Sequence, residues 1–489
     1  MVKGAVCKTV ITSSILVGSF PLSLRHASLS TAMIFRNFTF RPLRKQDRED
    51  SLMRTIFIGL LTCLALISLG QPSRADLDSY LSKPEPVYKW EKTGEKKLDG
   101  GAVIDLHLVS QTWQGGVWQH RLVIFRPENP VRTDFCTLFN TGGNGSDSEM
   151  TLGMTAAKIT GMPFAILYNI PNQPLYDGKT EDVLVAYTWQ KYMETGDDTW
   201  PLHFPMAKAV LKAMDAIQAY TKEAGQPEIN GFVVAGASKR GWTTWLAGAS
   251  RDKRIKGIAP MVIDTLNVAA QIPHQLAAYG KPSEKVQDYT ATGMLEKLNT
   301  PAGKRLMALE DPYSYRDRLT MPKLIILGTN DRYWSQDSLN LYWDDLKGPK
   351  WVLYNSNAGH ALEGLDTQFR VLNAVGAFAR AVAGGIPLPK PTWAYAQNDN
   401  VSSLTVHSDL PIKSAKLWHA HATTQDLRDA KWSSEPMTPI NGVDPAQAVV
   451  GSQALPTEGY TATYAELTYT QNGKSFSLTT QIAILSPKK

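Results

Sequence analysis

The stretch Gly231-Phe232-Val233-Val234-Ala235-Gly236-Ala237-Ser238-Lys239-Arg240-Gly241-Trp242 joins a Val-rich apolar run to a helix-compatible segment. The junction is a small-residue turn with Ser238 at its apex. A strand that turns sharply into a helix holds an apical serine hydroxyl out at the end of a sheet, as a nucleophile elbow. Gly236 and Ala237 suit such a turn, because backbone closes on the serine from both sides and bulkier side chains would clash. The spacing is Gly-x-Ser-x-x-Gly rather than the commoner Gly-x-Ser-x-Gly. Taken alone, the turn reads more readily as structural than as catalytic. The rest of the chain changes that balance.

A serine nucleophile needs a base, and the base needs an orienting acid. On α/β sheets with such an elbow the chain order is Ser, then Asp or Glu, then His. Downstream, the apolar runs Ile255–Ile263, Lys323–Gly328 and Lys350–Tyr354 read as successive strands. Asp331 follows the second and His360 follows the third, so both fall at the carboxyl edge of a parallel sheet, where ligands bind. A helical pattern from Ala361 to Ala383 predicts a short loop around His360. Asp264, at the end of the first of these strands, is the alternative acid. Asn330 and Asp331 also suit a plain turn, in which each bonds its own backbone. His203 and His274 lie in helical or polar surroundings that fit surface or lid roles better.

The oxyanion formed on attack needs backbone donors: the N–H after the nucleophile, at Lys239, and one from the loop after an earlier strand. Phe135–Asn140 reads as that strand and Thr141-Gly142-Gly143-Asn144-Gly145 as the loop, with Gly142 or Gly143 as the donor. Asn144 offers a side-chain donor. Arg240, beside the nucleophile, suits a structural ion pair or, second, an anionic substrate.

The segments Ala235–Trp242, Gly328-Thr329-Asn330-Asp331 and Asn357-Ala358-Gly359-His360, with the opening Tyr88-Lys89-Trp90, resemble the PhoPQ-activated pathogenicity-related protein family. The resemblance runs from about Asp76 through the catalytic region. It implies an α/β-hydrolase fold, export from the cytoplasm and a link to bacterial envelope responses or virulence. The chain is also similar to a secreted eukaryotic group of proliferation repressors, which keeps a non-enzymatic signalling role open.

The chain has 489 residues, 43% hydrophobic and 20% charged, a balance that suits a large globular protein of more than one domain. Residues 1–75 read as a leader. Met53-Arg54 starts a signal segment, Thr55–Leu69 is its apolar core, and Ser73-Arg74-Ala75 supplies small residues for cleavage before Asp76. The apolar core is short for a membrane span, so no stable span is expected after cleavage. Translation from Met53 would make the upstream part a gene-start artefact. Ten Lys/Arg against three Asp/Glu give residues 1–75 a charge of +7, so from a total of +6 the remainder stands near −1. The apparent basicity is therefore no sign of nucleic-acid binding. Of three cysteines only Cys136 lies beyond residue 75, which excludes an intramolecular disulfide in the mature chain.

Residues 76–386 read as the catalytic domain: a mostly parallel sheet with helices on both faces. Val103, Leu106, Leu108, Leu122 and Ile124 bracket a Gln114-Gly115-Gly116 hairpin turn. Phe204–Ala224 has helical apolar spacing ended by Gly225. The excursion Pro171–Pro205, rich in Trp, Tyr and acidic residues, suits a wall of the site. A mostly helical excursion at about 265–318 falls where a lid belongs; its Tyr279, Tyr289, Met294 and Leu295 read mainly as packing. Pro387-Leu388-Pro389-Lys390-Pro391 is a stiff linker. Residues 392–489 alternate in short runs, as in a small immunoglobulin-like β-sandwich. His419 and His421 share one such run without the acidic or Cys neighbours of a metal site.

The expectation is an exported serine hydrolase for an ester- or amide-containing substrate, with catalytic Ser238, His360 and Asp331. Oxyanion donors are expected at Lys239 and Gly142 or Gly143. No metal, organic cofactor or nucleic acid is called for. The alternative is a secreted, non-catalytic binding or signalling protein on the same scaffold.

Overall fold

The computed structural model describes residues 76–444 and 446–487. The expected leader, including its signal segment 53–75, lies outside the described residues. Helix α1 (Leu77–Ser82) is capped by the Asp76 carboxylate, which accepts from the Ser79 N–H at 2.8 Å. β1 (Lys89–Leu98), β2 (Gly101–Trp113) and β3 (Gly116–Pro127) then form an antiparallel meander. Gln114 and Gly115 make the β2–β3 turn, both at positive φ (46° and 78°), which matches the twist of the flanking strands. β1 was not expected, because Lys89–Leu98 has no apolar alternation. It forms the sheet's edge, where exposed charges such as Lys96 and Lys97 discourage pairing with another chain.

β4 (Phe135–Asn140), β5 (Phe164–Leu167), β6 (Gly231–Ala237), β7 (Ile255–Met261), β8 (Lys323–Gly328) and β9 (Lys350–Asn355) continue the sheet in the order β1-β2-β3-β5-β4-β6-β7-β8-β9. Neighbours from β5 to β9 are parallel, whereas β3 meets β5 antiparallel. Intervening helices are α2 (Asp147–Thr160), α3 (Glu181–Thr195), α4 (His203–Glu223) and α5 (Lys239–Ala249). Between β7 and β8 the helical excursion holds α6 (Val268–Tyr279), α7 (Gln287–Thr290), α8 (Met294–Lys297) and α9 (Pro301–Glu310); α10 (Leu365–Val382) follows β9.

The sheet is buried on both faces, which is why its strands read as continuous apolar runs. In β6, Phe232 and Val234 join a core with Met206 and Val210 of α4 and Trp245 of α5, while Val233 and Ala235 face Val375 and Phe378 of α10. This is an α/β-hydrolase-like fold with a mixed sheet. β7 stops at Met261, short of the expected Ile263, because Val262 turns to φ 43° while its N–H donates to Ile326 O at 2.7 Å. α10 begins at Leu365 rather than Ala361: Leu362 (φ 49°) and Gly364 (φ 93°) are left-handed, so the His360 loop is longer than the apolar spacing suggests.

The C-terminal region is all-β, as expected. It contains β10 (Thr392–Gln397), β11 (Val401–His407), β12 (Ser414–Ala422), β13 (Ser433–Pro436), β14 (Thr438–Pro439), β15 (Ala448–Ala454), β16 (Tyr460–Gln471), β17 (Lys474–Thr479) and β18 (Ala483–Leu485). One four-stranded sheet, β10-β11-β15-β14, is separate. The other, β17-β16-β12-β13, continues the central sheet, because Thr479 of β17 pairs with Val352 of β9. The proline-rich linker is docked: Leu388 is buried and Pro389 O accepts from Trp351 Nε1 at 2.7 Å.

Candidate active site

Ser238 sits where β6 becomes α5, at φ 56° and ψ −125°. A side-chain-bearing residue in this region costs about 1–3 kcal/mol, so the surroundings must enforce it. Its N–H donates to Met261 O and its carbonyl accepts from the Trp242 N–H, both at 2.9 Å. A Cβ on Gly236 would meet Asn140 Nδ2 and the Arg240 carbonyl; one on Gly241 would lie 2.8 Å from Met261 O. The lengthened spacing thus has a physical reason. The second glycine falls where α5 crosses the end of β7, and the position before it carries a buried arginine.

Ser238 Oγ lies 2.8 Å from His360 Nε2, and His360 Nδ1 lies 2.7 Å from Asp331 Oδ2. With the neutral imidazole protonated at Nδ1, the ring donates to Asp331 and accepts the serine hydroxyl proton. Asp331 is buried, and its Oδ1 accepts from the Tyr333 N–H at 2.9 Å. The Tyr333 ring packs against the imidazole, centroids 4.3 Å apart. Asp264 is not in this chain of bonds. It accepts from the Tyr342 hydroxyl at 2.7 Å, and burial, reinforced by the nearby Asp331 charge, pushes its carboxyl up to about 8.

Lys239 and Gly142 have no hydrogen bond to their N–H groups among the described residues, while the Gly143 N–H donates to Thr141 Oγ1 at 3.2 Å. Asn144 is exposed. Arg240 is buried and structurally engaged. Its guanidinium lies against Gly142 where a Cβ would sit, donates to Ile170 O, and grips Glu181 with two bonds of 2.7 Å. Burial pushes the Glu181 carboxyl up, but Arg240 and Lys239 outweigh it and bring it down to about 2. Arg240 therefore braces the Gly142 loop rather than presenting free charge.

A largely apolar pocket opens beside Ser238, between α3, α5 and the lid. Trp189, Trp242, Ile263, Met294, Leu295 and Leu298 are among its walls, so the two lid residues Met294 and Leu295 face the pocket as well as packing. Tyr289 also lines it, whereas Tyr279 donates to Trp334 O at 2.6 Å. The polar end is organised by Asp182, which sequence reading did not single out. It accepts from Lys239 Nζ at 3.0 Å and from the hydroxyls of Tyr289 and Tyr333 at 3.1 Å each. One carboxylate thus ties together the start of α5, the helical excursion and the Asp331 loop.

The remaining histidines lie elsewhere. His203 and Glu310 form a fully buried pair at 2.5 Å, stacked on Trp242 with centroids 4.6 Å apart, and Trp242 Nε1 donates to Glu310 O at 2.6 Å. The pair braces one wall of the pocket. His274 pairs with Asp337 at 2.8 Å, which raises its pKa. His419 and His421 contact Ser433 and Thr461 hydroxyls, and no group of three His, Cys, Asp or Glu side chains suited to a metal gathers among the described residues. Cys136 is buried in β4, and burial pushes its thiol pKa up, away from reactivity.

Residues 77–429 match the family described as PhoPQ-activated pathogenicity-related protein. A Dictyostelium discoideum protein, autocrine proliferation repressor protein A, is 34% identical over 394 aligned residues, covering 76% of this chain and 78% of that protein. Among solved structures, an acetyl xylan esterase from Paenibacillus sp. R4 is 14% identical over 63% of this chain and 92% of its own, with a TM-score of 0.45. Est1E from Butyrivibrio proteoclasticus is 16% identical over 58% of this chain and 99% of its own, with a TM-score of 0.34. By the extent of the family match and the identity with the Dictyostelium relative, the chain belongs to the PhoPQ-activated pathogenicity-related protein family.

Proposed function

We propose that this chain is an exported serine hydrolase that cleaves an ester or amide through Ser238, His360 and Asp331. The observation that carries the reading is the continuous chain from Ser238 Oγ to His360 Nε2 and from His360 Nδ1 to Asp331, on a strained elbow. Ser238 Oγ attacks the substrate carbonyl as His360 Nε2 takes its proton. The tetrahedral oxyanion is held by the backbone N–H groups of Lys239 and the Gly142–Gly143 loop. The proton then passes from His360 to the departing alcohol or amine, leaving an acyl-serine. Water attacks that acyl group with the same histidine as base, and Ser238 recovers its proton. Asp331 keeps the Nδ1 proton in place and stabilises the imidazolium. Nothing in this sequence of steps calls on a metal or organic cofactor.

The pocket supports a substrate with a sizeable apolar group. Each methylene buried there is worth about 0.8 kcal/mol, or roughly fourfold in kcat/KM. A fluorophosphonate probe should label wild type and neither Ser238→Ala nor His360→Ala, and p-nitrophenyl ester turnover should rise from acetate to octanoate. Absence of label on folded wild type would defeat the reading. It would favour the second one, a non-catalytic signalling protein, which the name of the Dictyostelium relative supports. Export rests on the Met53–Ala75 pattern; an N-terminus at Asp76 on protein recovered outside the cytoplasm would support it, and retention of the uncleaved chain in the cytoplasm would oppose it.

A further inference from the structure

The C-terminal region reaches the candidate active site through the loop between β12 and β13. Two carbonyls of that loop, those of Arg428 and Ala430, accept from Asn330 Nδ2 at 3.1 and 2.8 Å. Asn330 immediately precedes Asp331. Farther along the same loop, the backbone of Trp432 is bonded to the Asn357 side chain in both directions. Asn357 Nδ2 donates to Trp432 O at 3.0 Å, and its Oδ1 accepts from the Trp432 N–H at 2.8 Å. Asn357 lies three residues before His360, at φ 57°, a conformation that asparagine tolerates better than most side-chain-bearing residues. Its own N–H donates to Thr329 Oγ1 in the acid loop at 2.8 Å.

Trp432 is a firm anchor. Its side chain is buried, and its ring packs against Tyr464 of β16 with centroids 5.2 Å apart. The same loop also holds the lid: the Arg428 guanidinium lies 3.9 Å from the Tyr279 ring centroid and pairs with Glu284 at 2.7 Å. The acid loop and the histidine loop therefore share one support outside the catalytic domain.

Sharing matters because hydrogen-bonded catalytic groups tolerate misplacement of only about 0.5 Å. Two loops that fluctuate independently widen the Asp331–His360 distance; two loops on one anchor move together. We propose that Asn330 and Asn357 are positioning residues, through which the 428–432 loop of the C-terminal β region sets the register of Asp331 and His360. The proposal rests on the serine-hydrolase reading above and assigns the C-terminal region a part in it.

The test uses the protein as isolated, with three readouts: the rate of fluorophosphonate labelling at Ser238, thermal stability, and hydrogen exchange in peptides spanning 328–333, 356–362 and 236–242. In Asn357→Ala, labelling should slow about ten- to a hundredfold, the cost of a misplacement on the order of 1 Å. Exchange should rise in the two loops and stay unchanged at the elbow. Asn357→Asp, which keeps the acceptor and tolerates the backbone conformation, should recover part of the rate. Glu95→Ala removes an ion pair to Lys92 on the edge strand β1, between side chains 41% and 43% exposed, and should leave labelling within about twofold. Should Asn357→Ala not fold, Asn330→Ala removes two of the bonds and reads the same quantities. Labelling at the wild-type rate in both variants would overturn the proposal, as would exchange that rises equally at the elbow. Failure of wild type to label would bring down the hydrolase reading and the positioning role together. Labelled wild type with unaffected variants would bring down the positioning role alone.

Discussion

Between Gly231 and Trp242 the setting of the serine is built from consecutive residues on one strand and one helix. The residues beside Asp331 and His360 are held instead by partners far along the chain: Asn330 by carbonyls 98 and 100 positions away, Asn357 by Trp432, 75 positions away. The elbow stores strain at Ser238, and the doubly buried sheet beneath it keeps that strain from relaxing. The acid and histidine loops leave the ends of β8 and β9 and need support from outside their own elements. The turn at Ser238 is written mostly in consecutive residues, with Met261 O as a distant partner, whereas the loops of Asp331 and His360 are held by tertiary contacts.

Changes at the reacting groups should test that contrast most strongly. Ser238→Ala should reduce ester turnover by a factor on the order of 10⁴ to 10⁶ and abolish probe labelling, with the fold intact by circular dichroism. Asp331→Asn should lower kcat about 10³- to 10⁴-fold at little change in KM, because the imidazole then prefers the wrong tautomer. A loss under tenfold would mean another group orients the base.

The elbow itself should break through sterics. Gly236→Ala places a Cβ against Asn140 and the Arg240 carbonyl, so denaturant unfolding should show a loss of about 1–3 kcal/mol together with lost labelling. Wild-type stability in that variant would mean the turn is looser than its contacts indicate.

The smallest effect belongs to Asp264, which lies close to the acid yet outside its hydrogen-bonded chain. Its folded pKa, pushed up to about 8 by burial, stands above the ordinary aspartate value of about 3.9. The folded state therefore holds an extra proton between those values, and stability drains away as pH rises through that window. Asp264→Asn should raise Tm by a few degrees at pH 9 and change it little at pH 4, with Tyr342 still able to donate. Equal effects at both pH values would mean Asp264 is ionised throughout.

Much of the fold was legible before the structure. Phe135–Asn140 and Lys323–Gly328 appear as strands with the expected bounds, and Phe204–Ala224 forms a helix displaced by one residue. These segments declare themselves because burial on both faces of a strand leaves a continuous apolar run, and burial of one face of a helix leaves a periodic one. β1 left none, since an edge strand needs backbone pairing rather than apolar side chains. The start of α10 was misplaced for a related reason: helical spacing near Ala361 says nothing of the left-handed turns at Leu362 and Gly364.

The candidate site divides in the same way. Ser238, Asp331 and His360 could be named from their order after successive strands. Asp182, Asn330 and Asn357 could not, because each acts through partners that adjacency in sequence never reveals. The strand–helix alternation, the elbow with its small residues, and the charge and cysteine content were determined by sequence alone, since they depend on side-chain size, polarity and spacing along the backbone. Tertiary structure alone decided that Arg240 is consumed by Glu181 and that Asp264 sits apart under Tyr342. It alone decided that the β12–β13 loop is bonded to the loops carrying both Asp331 and His360, because a hydrogen bond needs two groups brought to about 3 Å, and only folding sets that distance.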